Sequence, residues 1–180
     1  SGVAAAGLSS RNRPVLSAAE LVSVRRDTPV VARTVGVEEE YLLVDPDTGR
    51  PRAVAQAAPA VGHGAELTGE LQREQLESAT RPCATLAEVS GELRRARAAA
   101  ARAAEAAGAR LAALGTSPLA VEPHLSSSER YRTMGRRFGL TVSEELTCGC
   151  PVNVGIDSAD EGVGALDRIR PWLAPLLAIT

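Results

Sequence analysis

The sequence predicts an α+β protein, a mostly antiparallel sheet with helices on one face. Strand-like runs fall close together at residues 34–44 and 66–80, and one long helical pattern separates them from a later alternating stretch, Thr147–Ser158. Strands grouped in this way favour a sheet whose helices are segregated to one side. Antiparallel pairing is compatible with an open second face.

Each element has a local reason. "RTVGVEEEYLLV" alternates as a strand does and stops at "DPDTG", a cluster of turn formers. Residues 51–66 are rich in Ala, Gly and Pro without a period and read as a loop. "ELTGELQREQLESATRP" reads as two short strands around a turn at Gly69 to Arg73 and ends at Pro82. Thr85 and Glu88 then form a T-x-x-E capping box. Leu86, Val89, Leu93, Ala96, Ala100, Ala103, Ala107 and Leu111 follow on one stripe. That stripe predicts a helix over Leu86–Leu114 with Gly115 as its stop, about 43 Å long at ~1.5 Å per residue. Its Ala-rich middle allows close approach to a sheet. "ALGTSPLAVEPH" suggests a short strand or loop, and "SSSERYRTMGRRFG" a capped helix ending at Gly139. A last helix starts near Asp160, broken or kinked by Pro171 and Pro175. Residues 1–32 read as a flexible leader and residues 33–180 as one domain.

Composition excludes several functions. At 44% hydrophobic the 180-residue chain can bury a core of its own, and a net charge of −2 implies no strongly charged partner. The 20 basic residues are all arginine, scattered among alanines, and aromatic content is 2%, so neither a basic patch nor a base-stacking surface points to nucleic acid. No apolar run is long enough to span a membrane, and no basic region followed by a long apolar core opens the chain. Three cysteines without framework spacing suit a reducing, cytoplasmic setting with buried free thiols. A zinc site using Cys83 and His124 has no support in the spacing, and His63 reads as a loop histidine.

The chemistry begins with "VGVEEEYLLV". Period-2 alternation places Gly36, Glu38 and Glu40 on one face, and Val35, Val37, Tyr41 and Leu43 on the other, with Glu39 among them. Two carboxylates at i and i+2 repel each other, and a divalent metal is a natural compensator; solvated glutamates on an exposed strand are the plain alternative. Glu39 belongs at a strand end or paired with an arginine. In "GELQREQLESAT", Glu70, Glu74 and Glu77 flank the turn. With that hairpin beside the first strand, Glu70 and Glu77 would join Glu38 and Glu40 as an all-oxygen set suited to Mg²⁺ or Mn²⁺ rather than zinc. An ordinary charged hairpin is the alternative. In "TCGCPVNVGIDS", Leu146, Cys148, Cys150, Val152, Val154 and Ile156 form an apolar face expected to lie against helices. Thr147, Gly149, Pro151, Asn153 and Gly155 form the other. Pro151 cannot donate to a ladder and implies an edge or bulge.

Taken together, "TVGVEEEYLLVD", "ELTGELQREQLESATRPC", "LGTSPLA", "RYRTMGRRFG" and "TCGCPVNVGIDSADE" resemble, in order and register, the bacterial carboxylate–amine ligases, the type 2 glutamate–cysteine ligase family related to glutamine synthetase. The resemblance runs from about Arg33 to Thr180. It implies a glutamine synthetase-like half-site on an antiparallel sheet, where glutamates hold Mg²⁺ against ATP, a carboxylate is phosphorylated and an amine then displaces phosphate. It makes Glu38, Glu40, Glu70 and Glu77 the metal-ligand positions.

Two departures qualify the resemblance. The family strand usually reads C-G-x-H-V-H-V-G, whereas Pro151 and Asn153 stand at its histidine positions, and Ser117 stands where the family tends to have histidine. Asn153 keeps an amide able to contact phosphate or metal but has no titratable nitrogen. The family's chains are also roughly twice as long. These features leave three readings: part of an ATP-dependent ligase acting on a small-molecule carboxylate and amine, a catalytically degenerate subunit supporting an active partner, or a plain small-molecule or metal-binding domain. The first two imply that the rest of a longer protein, a homo-oligomer or a second chain completes the site.

Overall fold

The computed structural model of the chain describes residues 33–58, 61–62 and 65–179. The expected leader and His63 lie outside the described residues. The sheet forms from β1 (Val35–Val44), β2 (Val61–Gly62), β3 (Ala65–Gly69), β4 (Gln75–Ala79), β5 (Arg110–Ala112) and β6 (Val152–Val154). Its order is β2-β3-β4-β1-β5, with β6 also paired to β1, and every strand pairing is antiparallel. The helices are α1 (Leu86–Ala106), α2 (Glu129–Phe138), α3 (Leu140–Glu144), α4 (Ala159–Ile169) and α5 (Leu173–Ile179).

β1 is the central strand, and its alternation decides what lies on each face. Tyr41 and Leu43 pack with Leu67 and Leu76 against Ala99, Ala100, Ala103 and Ala104 of α1. Val37 packs with Cys83 and Val89. Alanines on the buried stripe allow the helix to lie close on the sheet, as expected. Glu38 and Glu40 therefore face away from α1. At the far end of β1 that second face is closed. Leu42 is fully buried there, and Gln75, its register partner, donates to the Thr147 carbonyl at 2.7 Å. Gln72 donates to the carbonyls of Val142 and Glu145 at 2.7 and 3.0 Å and ties down α3.

The helix expected over Leu86–Leu114 is shorter. Its start is as read: the Thr85 side chain accepts from the Glu88 amide, and the Glu88 side chain accepts from the amides of Ala84 and Thr85. Its end is not at Gly115. Gly108 takes φ +72°, its amide donates to the Glu105 carbonyl and that of Ala109 to the Ala104 carbonyl, each at 2.9 Å. This Schellman closure needs a glycine at the left-handed position. It frees Arg110–Ala112 to add to β1 as a strand, with Leu111 opposite Leu43. The stripe had continued through Leu111 by coincidence of spacing. A helix of 21 residues is about 31 Å long at ~1.5 Å per residue.

Other segments sharpen the sequence reading. The loop assigned to residues 51–66 contains a 3-10 turn, Ala55–Ala57, then β2 and the start of β3. α2 begins at Ser128, whose side chain accepts from the Tyr131 amide, and ends at Gly139. α3, which the pattern did not show, follows at once. α4 is capped by Ser158 and ends before a 3-10 turn, Arg170–Trp172, that carries Pro171. Pro175 lies in the first turn of α5, where its missing N–H costs no helical bond.

The apolar face of the cysteine–glycine strand is not covered by helices as expected. Val152, Val154 and Ile156 are 63, 53 and 53% exposed. Cys150 is exposed and Cys148 half-buried, so only Cys83 of the three free cysteines is buried. No helix among the described residues is long and apolar enough to cross a membrane.

Candidate functional site

The face of the sheet opposite α1 is acidic because the register makes it so. Glu40 is the direct partner of Glu77 across β1 and β4, and Thr68 is the partner of Glu77 across β3 and β4. Cross-strand partners on one face bring their Cβ atoms to about 5 Å. Glu38 lies two residues along β1 on the same face. Glu70 follows β3 directly, at the entry to the turn.

β6 and the residues before it complete the row on the other side of β1. Asn153 pairs with Gly36, and the amides of Glu38 and Glu40 donate to the carbonyls of Pro151 and Gly149 at 3.0 and 3.1 Å. Gly149, Pro151 and Asn153 thus share the face of the two glutamates, as the alternation predicted. Among the described residues β6 pairs with β1 alone, so Pro151 enters an edge strand, where its missing N–H is tolerated.

The partners of the four carboxylates are all neutral. Glu38 accepts from the Asn153 amide nitrogen at 3.2 Å, Glu40 from the Gly149 backbone amide at 2.8 Å and Glu77 from the Thr68 hydroxyl at 3.0 Å. Glu70 accepts from the Tyr131 hydroxyl at 3.0 Å and from the Leu71 amide. Among the described residues no arginine forms an ion pair with any of them. The consequence is electrostatic. Burial pushes the Glu40 carboxyl above the usual range, and the charges of Glu70, Glu38 and Glu145 add to it, against the Gly149 bond. Burial likewise raises Glu77, reinforced by Glu70, Glu38 and Glu40. Burial and the bond to Glu70 raise Tyr131 to about 12, so this phenol stays a proton donor.

Glu39 is the contrast. It points to the α1 side, where Arg97 grips it with two bonds, Nε to Oε2 at 2.7 Å and Nη2 to Oε1 at 2.8 Å. The Tyr41 hydroxyl donates to Oε2 at 2.7 Å. Burial would raise this carboxyl, but the Arg97 and Tyr41 bonds outweigh it and hold it below the usual range. The arginine partner expected for Glu39 is therefore present. Of three successive glutamates, the middle one is neutralised and the outer two are not.

An all-oxygen set without a counter-charge is the chemistry a hard divalent cation takes. In kind, the residues fit Mg²⁺ or Mn²⁺. In their present rotamers each carboxylate is turned to its own neutral donor, and among the described residues no three His, Cys, Asp or Glu side chains are grouped as a cage. Cys83 lies in the Val37 and Val89 cluster while His124 bonds the buried Glu74 at 2.6 Å, so these two do not meet as zinc ligands. Tyr131, Thr68 and Glu145 join the acidic face without any signal in the sequence. Only the strand pairing and the placement of α2 bring them there. A cleft of about 180 Å³ beside Glu40 is walled by Ala113–Gly115 and Cys148–Cys150. A second groove, about 800 Å³, includes none of the four glutamates and lies between β6 and α4.

Comparison with known proteins gives the family. The glutamate–cysteine ligase family 2 model matches residues 34–180. A Frankia alni protein provisionally named glutamate–cysteine ligase 2-2 is 48% identical over 165 residues, covering 82% of this chain and 43% of the relative. One from Streptomyces avermitilis, provisionally named glutamate–cysteine ligase 2-1, is 46% identical over 153 residues, covering 82% of this chain and 42% of the relative. One from Mycolicibacterium smegmatis, glutamate–cysteine ligase 2-3 by the same kind of name, is 43% identical over 152 residues, covering 82% and 41%. The chain belongs to glutamate–cysteine ligase family 2, a family of carboxylate–amine ligases. It spans about two fifths of the length of the curated relatives it matches.

Proposed function

We propose that this chain is part of an ATP- and Mg²⁺-dependent carboxylate–amine ligase of the glutamate–cysteine type, forming an amide through an acyl phosphate. The observation that carries the reading is the acidic face: four half-buried carboxylates that only neutral donors reach, two of them raised by burial and mutual repulsion. In this reading Glu38, Glu40, Glu70 and Glu77 hold Mg²⁺ or Mn²⁺. A bound ion of this kind would supply charge neutralisation to phosphoryl transfer, which depends chiefly on positioning and electrostatics. The chain's own residues hold the oxygens in place. The β1–β4 register sets Glu40 against Glu77, the Glu39–Arg97 pair anchors the strand from behind, and Tyr131 orients Glu70. Asn153 offers its amide to Glu38 or to a phosphate oxygen.

In the same reading the substrates are a small-molecule carboxylate and amine. The site is completed by the rest of the ligase, by a second copy or by a second chain. Three free cysteines are in keeping with the cytoplasm. A second reading, a catalytically degenerate subunit supporting an active ligase, is favoured by Pro151 and Asn153 at the family's histidine positions, since Asn153 can neither titrate nor supply an imidazole ligand.

Calorimetry with Mn²⁺ on the wild type and on Glu38→Gln, Glu40→Gln tests the metal site. We expect weak binding that the substitutions abolish, and equal binding in both proteins removes the proposal. Binding of ATP with and without Mn²⁺ then separates the two readings. The ligase reading expects the metal to tighten ATP binding, and the degenerate subunit expects no difference.

A further inference from the structure

From Gly149 to Ile179 no residue is buried, whereas α1 and the strands before it enclose a complete core. This part of the chain is nevertheless built with care. β6 follows the register of β1, and α4 is properly capped by Ser158, with Asp160 and Glu161 in its first turn. What it lacks, among the described residues, is a cover. Val152, Val154 and Ile156 from the β6 side and Leu166, Ile169 and Trp172 from the helical side line a trough of about 800 Å³. Each of these six is at least 41% exposed.

The rim is polar. Arg33 pairs with Glu161 and donates to the Gly155 carbonyl at 2.9 Å, and Arg168 closes another side. An apolar floor inside a charged rim is the anatomy of a protein interface. An exposed apolar surface of this extent is what a docking face shows. Two further facts choose a polypeptide over a small apolar molecule. Among the described residues β6 pairs with β1 alone, so its other edge offers backbone groups that no described strand pairs. The apolar surface also continues past the trough through Leu173, Leu176 and Ile179. The curated relatives carry further length that this chain does not match, since it covers only 42% and 43% of two of them.

We propose that the β6–α4 trough docks the polypeptide corresponding to the remaining three fifths of the ligase relatives, in the same polypeptide or as a second chain. The inference rests on the reading of this chain as part of a ligase and adds the surface on which the parts meet.

Trp172 is the chain's single tryptophan and reports on the trough directly. In this chain alone, acrylamide should quench it nearly as fast as free indole. Val154→Asp with Leu166→Asp should leave the urea midpoint unchanged. The second arm is a chimera in which this chain replaces the matched part of the Frankia alni relative. There, amide exchange over residues 150–179 should slow at least tenfold relative to this chain alone, and the same two substitutions should remove that protection. Glu38→Gln with Glu40→Gln should retain it, so a failed metal site and a failed docking face give different results.

Three outcomes overturn the proposal. One is equally fast exchange over residues 150–179 in the chimera and in this chain alone. Another is a Trp172 already shielded in this chain alone, with light scattering showing a dimer, which assigns the trough to a second copy. The third is a large loss of stability in this chain alone on Val154→Asp and Leu166→Asp, which shows that the face is already closed.

Discussion

Replacing Glu77 by glutamine should make this protein more stable. Glu77 and Glu40 face each other across β4 and β1, with Cβ atoms at about 5 Å and no arginine between them. Two unit charges at ~5 Å repel by roughly 0.8 kcal/mol in bulk water and about 3 kcal/mol at an effective dielectric constant near 20. Both side chains are half exposed, so solvent screening places the value near the lower figure. Opposite-charge cross-strand pairs contribute about 0.2–1 kcal/mol, and like charges directly opposite each other are destabilising. The glutamine amide keeps an acceptor oxygen for the Thr68 hydroxyl, so Glu77→Gln removes the charge and not the bond. We expect a gain of about 0.5–1 kcal/mol at pH 7 without metal, or roughly 1–4 °C in Tm for a chain of this size.

The pH dependence has a definite sign. The folded Glu40 and Glu77 carboxyls titrate above their unfolded value. The wild type is therefore free of this penalty below about pH 4 and acquires it as pH rises through the folded values. The advantage of Glu77→Gln should be full at neutral pH and vanish in acid. Mn²⁺ should invert the order, because a ligand binding only the folded state stabilises the protein that can hold it. Urea unfolding followed by circular dichroism at pH 7 and pH 4.5, with and without Mn²⁺, measures all three. A variant less stable than wild type at pH 7, or a gain that does not change with pH, would refute the electrostatic account.

Further outcomes follow from other contacts. Arg97→Met should cost about 1–3 kcal/mol at pH 7, because it leaves Glu39 buried with Tyr41 as its remaining charge-stabilising donor. Native Glu39 titrates below its unfolded value, so the support from Arg97 is present above about pH 4.5 and lost on further acidification. The deficit in urea midpoint should therefore shrink in acid. Gly108→Ala should cost about 1–2 kcal/mol, because an L side chain is strained at φ +72°, whereas Gly115→Ala, in open space, should cost less. Equal thermal shifts for the two would argue against helix termination at Gly108.

Much of this protein was legible in local pattern. Alternation along "VGVEEEYLLV" separated Glu38 and Glu40 from the core-facing residues because a strand's period is two whatever its partners are. The Thr85–Glu88 box set the start of α1 because capping is settled within four residues. The same alternation put Asn153 and Pro151 on the glutamate face. Pairing, by contrast, is a property of two segments at once. That Glu40 meets Glu77, that Glu39 finds Arg97 on a helix 58 residues away, and that Tyr131 reaches Glu70 all depend on registers that no single stretch encodes. The end of α1 was misread for a related reason. The alanine run supports helix on either side of Gly108, and the sheet's need for β5 beside β1 decides where it stops. The apolar face of β6 shows the limit most clearly. Its sequence says that it should be buried, and only the tertiary structure shows that nothing among the described residues buries it.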